Sequence, residues 1–217
     1  MLKYRPFEMH CHTRHSDGTF LVPQLIESVA AYGYAGLALT DHNAVTGLLE
    51  VTEELQRKNN CLVLPGIEWT TFYGHLLVIG CDRFVDWRFV TPDTIDEALQ
   101  EIRAAGGIAG VAHPCEVGSP LMCGCNWEFR VKRWDLMDYV EIWSGPDPHA
   151  SAKNGLAMPW YDALLNQGYH LAISAGRDWH GPDKPGQIPL LTATYLGIDG
   201  DVTIENAKAA IRAGRTY

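Results

Sequence analysis

The stretch FEMHCHTRHSDG at residues 7–18 ends a strand-like apolar run with two histidines, His10 and His12, that are separated by one residue. Alternate residues of a strand point to the same side, so this spacing predicts that both imidazoles face the interior while Cys11 faces the helices. Two potential metal ligands thus come from three residues. A fold that uses this pair must bring further ligands to the end of the same strand.

Along the 217 residues, short apolar runs alternate with amphipathic stretches of roughly 10 to 15 residues, a pattern typical of β/α folds. The length predicts a single domain, 1–217. Two of the strand-like runs are too close in sequence for a parallel crossover, which predicts one antiparallel hairpin. The predicted strands are 7–12, 35–41, 61–68, 74–80 (the last two forming the hairpin), 107–113, 138–143, 170–177 and 191–196, and the predicted helices are 23–32, 45–58, 94–105, 155–167 and 203–213.

Potential metal ligands follow the carboxyl ends of nearly all these strands, and His75 stands at the start of its strand, as the returning arm of a hairpin requires. A single histidine at a strand end is more often a capping or core residue than a ligand. Many buried imidazoles and carboxylates together need partners, however, and a cation suits several at once. Closure into a barrel gathers strand ends around one axis, so a barrel is favoured over an open sheet. The strand-end residues are His10, His12, Asp41, His42, Glu68, His113, Asp178 and His180.

The composition argues against several classes of partner. A formal net charge of −9 provides no basic surface for nucleic acid or an anionic membrane, so neither is expected. No run of about 18 uncharged apolar residues could span a bilayer, and the first residues lack the apolar segment of a signal peptide. Six scattered cysteines suit reduced thiols. We therefore expect a soluble, cytoplasmic protein.

Five short motifs follow one another along the chain: His-x-His-Thr-x-x-Ser-Asp-Gly at 10–18, Thr-Asp-His at 40–42, Pro-Gly-Ile-Glu at 65–68, His-Pro at 113–114 and Gly-x-Asp-x-His at 176–180. In this order they resemble the polymerase and histidinol phosphatase (PHP) superfamily of metal-dependent phosphoesterases. Each motif alone is weak, but five in the right order are specific, and together they cover residues 7 to 180. The resemblance implies an α/β fold, namely a distorted, TIM-like (β/α)7 barrel.

The resemblance also implies how the ligands divide among three metal sites. Asp17 is the least specific of them, because an ordinary Asp-Gly turn would explain it equally well. Asp41 is expected to orient an imidazole without touching metal. The first ion would take His10, His12, Glu68 and Asp178, the second would share Glu68 and add His75 and His113, and the third would take Asp17, His42 and His180.

Nitrogen and oxygen ligands without thiolate predict two or three divalent ions of zinc, manganese or iron. Two ions bridged by Glu68 would hold a water between them, lower its pKa from 15.7 toward roughly 7, and direct the hydroxide at phosphorus or a carbonyl carbon. A third ion would neutralise charge on the non-bridging oxygens. The predicted catalytic residues are therefore Glu68, Asp178 and His180.

The predicted function is metal-dependent hydrolysis of a phosphate mono- or diester of a small molecule. The segments Glu-Ile-Trp-Ser-Gly at 141–145 and Ala-Gly-Arg-Thr-Tyr at 213–217 resemble the carbaryl-hydrolase-like PHP branch, so a carboxyl or carbamate ester is the alternative substrate. Arg177 is a candidate substrate-binding residue, although strand alternation equally predicts a salt bridge toward the helices. A metal-binding regulatory module without turnover is the alternative of another class.

Overall fold

The computed structural model describes residues 1–118, 125–147, 151–183 and 192–217. The strands in these residues form one sheet that curves into a nearly closed barrel, which confirms the predicted α/β barrel. Every predicted strand is present, with its ends moved by a few residues. The strands are β1 (Leu2–Cys11), β2 (Gly36–Leu39), β3 (Leu62–Thr71), β4 (Gly74–Ile79), β5 (Ile108–Val111), β6 (Tyr139–Ser144), β7 (Ala172–Gly176) and β8 (Thr194–Asp199).

The helices also follow the prediction, with one exception. The single helix predicted at 45–58 is wrong, because Thr52 is extended and divides it into a 3-10 helix and a short α-helix. The Thr52 side chain caps the α-helix by accepting a hydrogen bond from the Leu55 amide at 3.1 Å. No helix in the described residues is both long and apolar enough to cross a membrane. The helices are α1 (Val22–Ala31), α2 (Glu53–Asn59), α3 (Ile95–Ala104), α4 (Ala152–Asn166) and α5 (Ile204–Arg212), with 3-10 helices at Thr46–Glu50 and Trp134–Leu136.

The strand order is β7-β6-β5-β4-β3-β2-β1-β8, and one strand inside it runs against its neighbours. β4 is antiparallel to both β3 and β5, which confirms the predicted hairpin. The pairs β1/β2, β2/β3, β5/β6 and β6/β7 are parallel. The first residues of β4 therefore lie at the end of the barrel where the parallel strands finish.

The barrel closes around β1, whose two halves have different partners. Residues Leu2 to Phe7 pair antiparallel with β8. The end of β1 instead pairs with the segment that follows β7: the His12 amide donates to the Trp179 carbonyl at 3.0 Å, and the Trp179 amide donates to the His10 carbonyl at 3.1 Å. The described sheet thus has eight strands, whereas the family resemblance implies seven. The additional strand, β8, pairs with the part of β1 that β7 does not reach.

Apolar packing fills the barrel below its functional end. Tyr139 from β6 packs in one buried cluster with Ile211 of α5. Lys208 of α5 donates hydrogen bonds to the carbonyl oxygens of Gly80 and Gly106. Helix α5 therefore covers one end of the barrel and leaves the opposite end, which we call the rim, for the polar residues.

Candidate metal centre

All nine predicted metal ligands lie at the rim, where the parallel strands end and β4 begins. Their nitrogen and oxygen atoms form groups of three or four that lie within 4.8 Å of one another. The structure therefore brings together residues that are far apart in sequence, while their binding of metal stays a prediction. The nine residues are His10, His12, Asp17, His42, Glu68, His75, His113, Asp178 and His180.

Glu68 stands at the centre of the rim and is fully buried. Burial opposes its ionisation, but the surrounding imidazoles, His10 foremost, hold the pKa of this carboxyl well below its ordinary value. Glu68 is thus an ionised carboxylate that five histidines share. Its oxygens lie near ring nitrogens of His10 (3.1 Å), His12 (3.4 Å), His42 (2.8 Å), His75 (2.9 Å) and His113 (3.2 Å).

His10 is oriented by a second buried carboxylate. Glu141 accepts a hydrogen bond from Nδ1 of His10 at 3.1 Å and another from the His113 amide at 3.0 Å. Burial works to lower the pKa of His10, yet Glu68, Glu141 and Asp178 together raise it well above its ordinary value. Because Nδ1 is occupied, Nε2 is the His10 atom directed at Glu68. A carboxylate behind a histidine is the usual device for fixing a metal ligand.

Four of the nine residues form a group of which three lie nearer to solvent, while His12 is buried. The ring of His12 is stacked between those of His42, at 4.3 Å, and His180, at 4.1 Å. An oxygen of Asp17 lies 3.2 Å from Nε2 of His180 and 3.6 Å from Nε2 of His42. The Asp17 side chain is 56% exposed. We call this set the outer group, and it consists of His12, Asp17, His42 and His180.

The other ligands form a buried set, which we call the inner group: His10, Glu68, His75 and His113. Each of these four is at most 5% exposed. Asp178 lies between the two groups, with one carboxylate oxygen 3.1 Å from Nε2 of His12 and 3.4 Å from Nε2 of His10. Two residues reach beyond the ion that the resemblance implies for them: His12 contacts the outer histidines as well as Asp178, and His42 also groups with Glu68 and His75.

Several buried atoms of the rim stand close to one another yet form no hydrogen bond of good geometry among the described residues. Buried polar atoms without partners are costly and uncommon, so their concentration at one place is a test of whether the rim suits a cation. Imidazole nitrogen and carboxylate oxygen together are the ligands that divalent zinc, manganese and iron prefer, so the donor set fits. The atoms are Nε2 of His10, Nδ1 of His12, Oε2 of Glu68, Nε2 of His75 and Nδ1 of His113.

The backbone at the rim adopts unusual conformations that place these side chains. His113 and Asp178 have positive φ angles of 25° and 50°, a region that non-glycine residues enter at a cost of roughly 1–3 kcal/mol. Two residues before Asp178, Gly176 approaches the inner group closely: a Cβ there would lie 2.6 Å from Cβ of His10 and 2.7 Å from an oxygen of Glu141. A glycine is therefore required for β7 to meet β1 at this point.

Side chains between the ligands point outward, as strand alternation predicts. Cys11 and Trp179 both belong to the apolar cluster around α1, and Trp179 packs edge-on against Phe20 at 5.1 Å. The pairing of β1 with β2 contains a bulge between Glu8 and Cys11, close to the rim.

The structure contradicts the assignment of Arg177 as a substrate-binding residue. Its side chain is 3% exposed and pairs with Asp183 at 2.5 Å. The guanidinium also lies 4.0 Å from the ring centre of Trp179. Because Asp178 is directed at the rim, its neighbour in the chain faces the helical layer, which is the salt-bridge alternative.

The expected role of Asp41 is also corrected. Its carboxylate accepts hydrogen bonds from the amide and hydroxyl of Thr13, both at 2.7 Å, and from the hydroxyl of Ser16 at 2.8 Å. No imidazole donates to Asp41 among the recorded bonds of the described residues. Asp41 therefore holds the loop that carries Asp17, which places an outer ligand indirectly.

Sequence reasoning missed Glu141 and Glu116. The signal for Glu141 is a single carboxylate inside the otherwise apolar strand Tyr139–Ser144, which is typical of a buried functional group. Glu116 lies within the group formed with His113 and Asp178, and it pairs with Lys153. Nothing in the sequence near Glu116 predicts that contact, which joins segments far apart in the chain.

Part of the chain is similar in sequence to a known protein family. Residues 8–108 match the PHP domain. The matched segment contains His10 through His75 and ends before His113. A 3',5'-nucleoside bisphosphate phosphatase of Chromobacterium violaceum is 34% identical over 79 residues, which are 35% of this chain and 27% of that protein.

Solved structures share the fold over nearly the whole chain. A two-domain protein of Bacteroides vulgatus, containing a predicted PHP-like metal-dependent phosphoesterase, has a TM-score of 0.71 at 17% identity, covering 99% of this chain and 64% of that one. The lesion-specific endonuclease EndoQ of Pyrococcus furiosus has a TM-score of 0.52 at 14% identity, covering 97% of this chain and 56% of that one. At these identities the likeness shows the fold, and the chain spans less than two thirds of each of these proteins.

Proposed function

We propose that this chain is a metal-dependent phosphoesterase that hydrolyses a phosphate mono- or diester of a small molecule. The observation that carries the proposal is the convergence of nine potential ligands around the buried carboxylate of Glu68. The PHP domain match and the phosphatase among the relatives support the same class of reaction. A cluster of this size exceeds the four ligands that close a structural site around one ion, which disfavours a regulatory module without turnover.

The residues at the rim would divide the work of holding two or three divalent ions. Glu68 faces both groups and would bridge two ions, while Glu141 keeps Nε2 of His10 in position. Asp178 would join the inner and outer groups. Such ions lower the pKa of a bound water, and they supply positive charge that stabilises the phosphate oxygens. His180, with a side chain 37% exposed, lies on the side from which a substrate would enter.

Zinc, manganese and iron are the proposed metals, because the donors are imidazoles and carboxylates without a thiolate. A small molecule is favoured over a nucleic acid because the chain carries a net charge of −9. The single domain over residues 1–217 and the cytoplasmic location stay predictions. A carboxyl or carbamate ester remains the alternative substrate on the terminal motif alone.

The test is reconstitution of the metal-free protein with Mn²⁺, Zn²⁺ or Fe²⁺, followed by a panel of a nucleoside bisphosphate, an aryl phosphate, a bis-aryl phosphate and an aryl acetate. We expect faster hydrolysis of a phosphate ester than of the acetate, with activity lost on chelation. The Glu68→Gln variant serves as the inactive control. Hydrolysis of the acetate alone would select the ester alternative, and a metal-loaded protein idle on every substrate would contradict the proposal.

A further inference from the structure

A lysine and a glutamate meet at the edge of the rim. The Lys153 ammonium lies 2.5 Å from a carboxylate oxygen of Glu116, and that same oxygen lies 3.7 Å from Nδ1 of His113. Glu116 also forms a compact group with His113 and Asp178. Both side chains of the pair are partly exposed, Lys153 by 21% and Glu116 by 31%. Solvent therefore reaches the pair, and the Glu116 carboxylate lies between the Lys153 ammonium and His113 of the inner group.

The position of Lys153 is determined by its neighbour in the chain. It is the second residue of α4, and Asn154 beside it is buried. The Asn154 side chain accepts a hydrogen bond from the Ser144 amide and donates one to the Ser144 carbonyl, both at 3.0 Å. The start of α4 is thus fastened to the end of β6, which places Lys153 beside Glu116 at the edge of the rim.

Other basic side chains near the rim are turned away from it. Arg177 is buried against Asp183 and Trp179. Arg14 donates from Nε to the carbonyl of Thr19 in the loop. In the described part of the chain, no other lysine or arginine forms an ion pair with a carboxylate of the metal-ligand groups. Among the described residues, Lys153 is accordingly the cation placed to meet an anionic substrate at this site.

We propose that Lys153 binds the phosphate group of the substrate, and that Glu116 holds its ammonium until the phosphate takes the place of the carboxylate. The proposal rests on the phosphoesterase function and adds a specificity residue to it. An ammonium carries three hydrogen-bond donors, and contacts between a charged donor and phosphate oxygens are among the stronger polar contacts in proteins. A neutral carboxyl ester gains little from this cation, so the lysine selects phosphate esters.

The first experiment measures binding of inorganic phosphate to the metal-loaded protein by titration calorimetry, with metal content checked by elemental analysis. Lys153→Met should weaken phosphate binding roughly 10- to 100-fold without loss of metal, the range expected for one charge-assisted contact. Lys153→Arg should retain part of the affinity because it keeps the charge. Lys58→Met, which removes an exposed lysine from α2, is the matched control and should bind as the wild type does.

The second experiment uses Glu116→Gln, which removes the competing negative charge and keeps the size of the side chain. We expect tighter phosphate binding at unchanged metal content. Loss of metal from this variant would identify Glu116 as a metal ligand and overturn the proposed replacement of its carboxylate by phosphate. Unchanged phosphate affinity in Lys153→Met, with wild-type hydrolysis of phosphate esters intact, would overturn the role of Lys153 alone. Absence of hydrolysis by the metal-loaded wild type would instead overturn the phosphoesterase function.

Discussion

The inner and outer groups of the rim are built from similar side chains on different supports. His10, Glu68 and His75 stand on strands of the barrel, and all are buried. Asp17 stands on a loop and is more than half exposed, and His180 lies four residues beyond Gly176, the end of β7. Ligands on strands are held to one geometry by the sheet, whereas ligands on loops move with them. The comparison predicts that an inner ion exchanges slowly and an outer ion quickly.

Electrostatics separates the two groups further. Burial penalises the charges of His10 and Glu68, and these charges persist because imidazoles and carboxylates balance one another. For Asp17 in the outer group, solvent shares in stabilising the charge. Removing one residue should therefore weaken metal binding strongly in the inner group and only mildly in the outer group. The following substitutions test this expectation, from the largest effect to the smallest.

Glu68→Gln should have the largest effect, because one change removes the negative charge that five histidines share. We expect loss of the inner ions and a fall in activity greater than the roughly 100-fold typical of a residue behind the ligands. Elemental analysis and hydrolysis rates measure the two effects. Retention of full metal content would contradict the central place of Glu68.

Glu141→Gln should have the next largest effect. The amide weakens the carboxylate that orients His10, so inner metal affinity or activity should fall roughly 10- to 100-fold. Titration of the metal-free protein with Zn²⁺ measures the affinity. Glu27→Gln, on the exposed face of α1, is the control, and equal losses in both variants would show that Glu141 has no special role.

Asp17→Asn should remove or weaken the outer ion and leave the inner ions in place. We expect a smaller loss of metal affinity than for Glu141→Gln, because solvent already reaches this carboxylate. Elemental analysis after dialysis measures how many ions remain. Asp93→Asn, at an exposed ion pair with Arg130, is the control. Loss of all metal from Asp17→Asn would remove the distinction between the two groups.

Glu8→Gln tests the layer behind the inner group. Burial raises the pKa of Glu8 from 4.5 to about 8, and one oxygen accepts hydrogen bonds from the amides of His10 and Arg177. The folded state keeps this proton where the unfolded state loses it, so wild-type stability should fall as pH rises from about 4.5 to 8. The amide cannot titrate, so its stability should fall less. Urea unfolding of the metal-free proteins at pH 5 and 8 measures the difference, and parallel decreases would contradict the raised pKa.

The elements and the ligand positions of the rim could be predicted from the sequence, because they follow from the spacing of apolar residues and the positions of glycine and proline, which are local features. The spacing of His10 and His12 and that of Asp178 and His180 predict which side chains face inward. The hairpin could be predicted because the gap before His75 is too short for a crossover. All of these features depend on residues within one or two elements.

Features that depend on distant pairing could not be predicted. The sharing of the β1 edge between β8 and the segment after β7 is a long-range choice that no local pattern encodes. The same holds for Glu141 behind His10, and for Asp41, which binds Thr13 and Ser16 instead of an imidazole.

The closure of β1 onto the segment after β7 also determines when the site can exist. His12 and Asp178, which lie 3.1 Å apart, are separated by 166 positions in the chain. Contacts across such a separation are slow to form, since the chain between them must be ordered first. Five of the six imidazoles at the rim precede Asp178, so a nascent chain would carry them long before that carboxylate emerges. Metal uptake would then be the last step of folding, and its rate would measure how fast the barrel is completed.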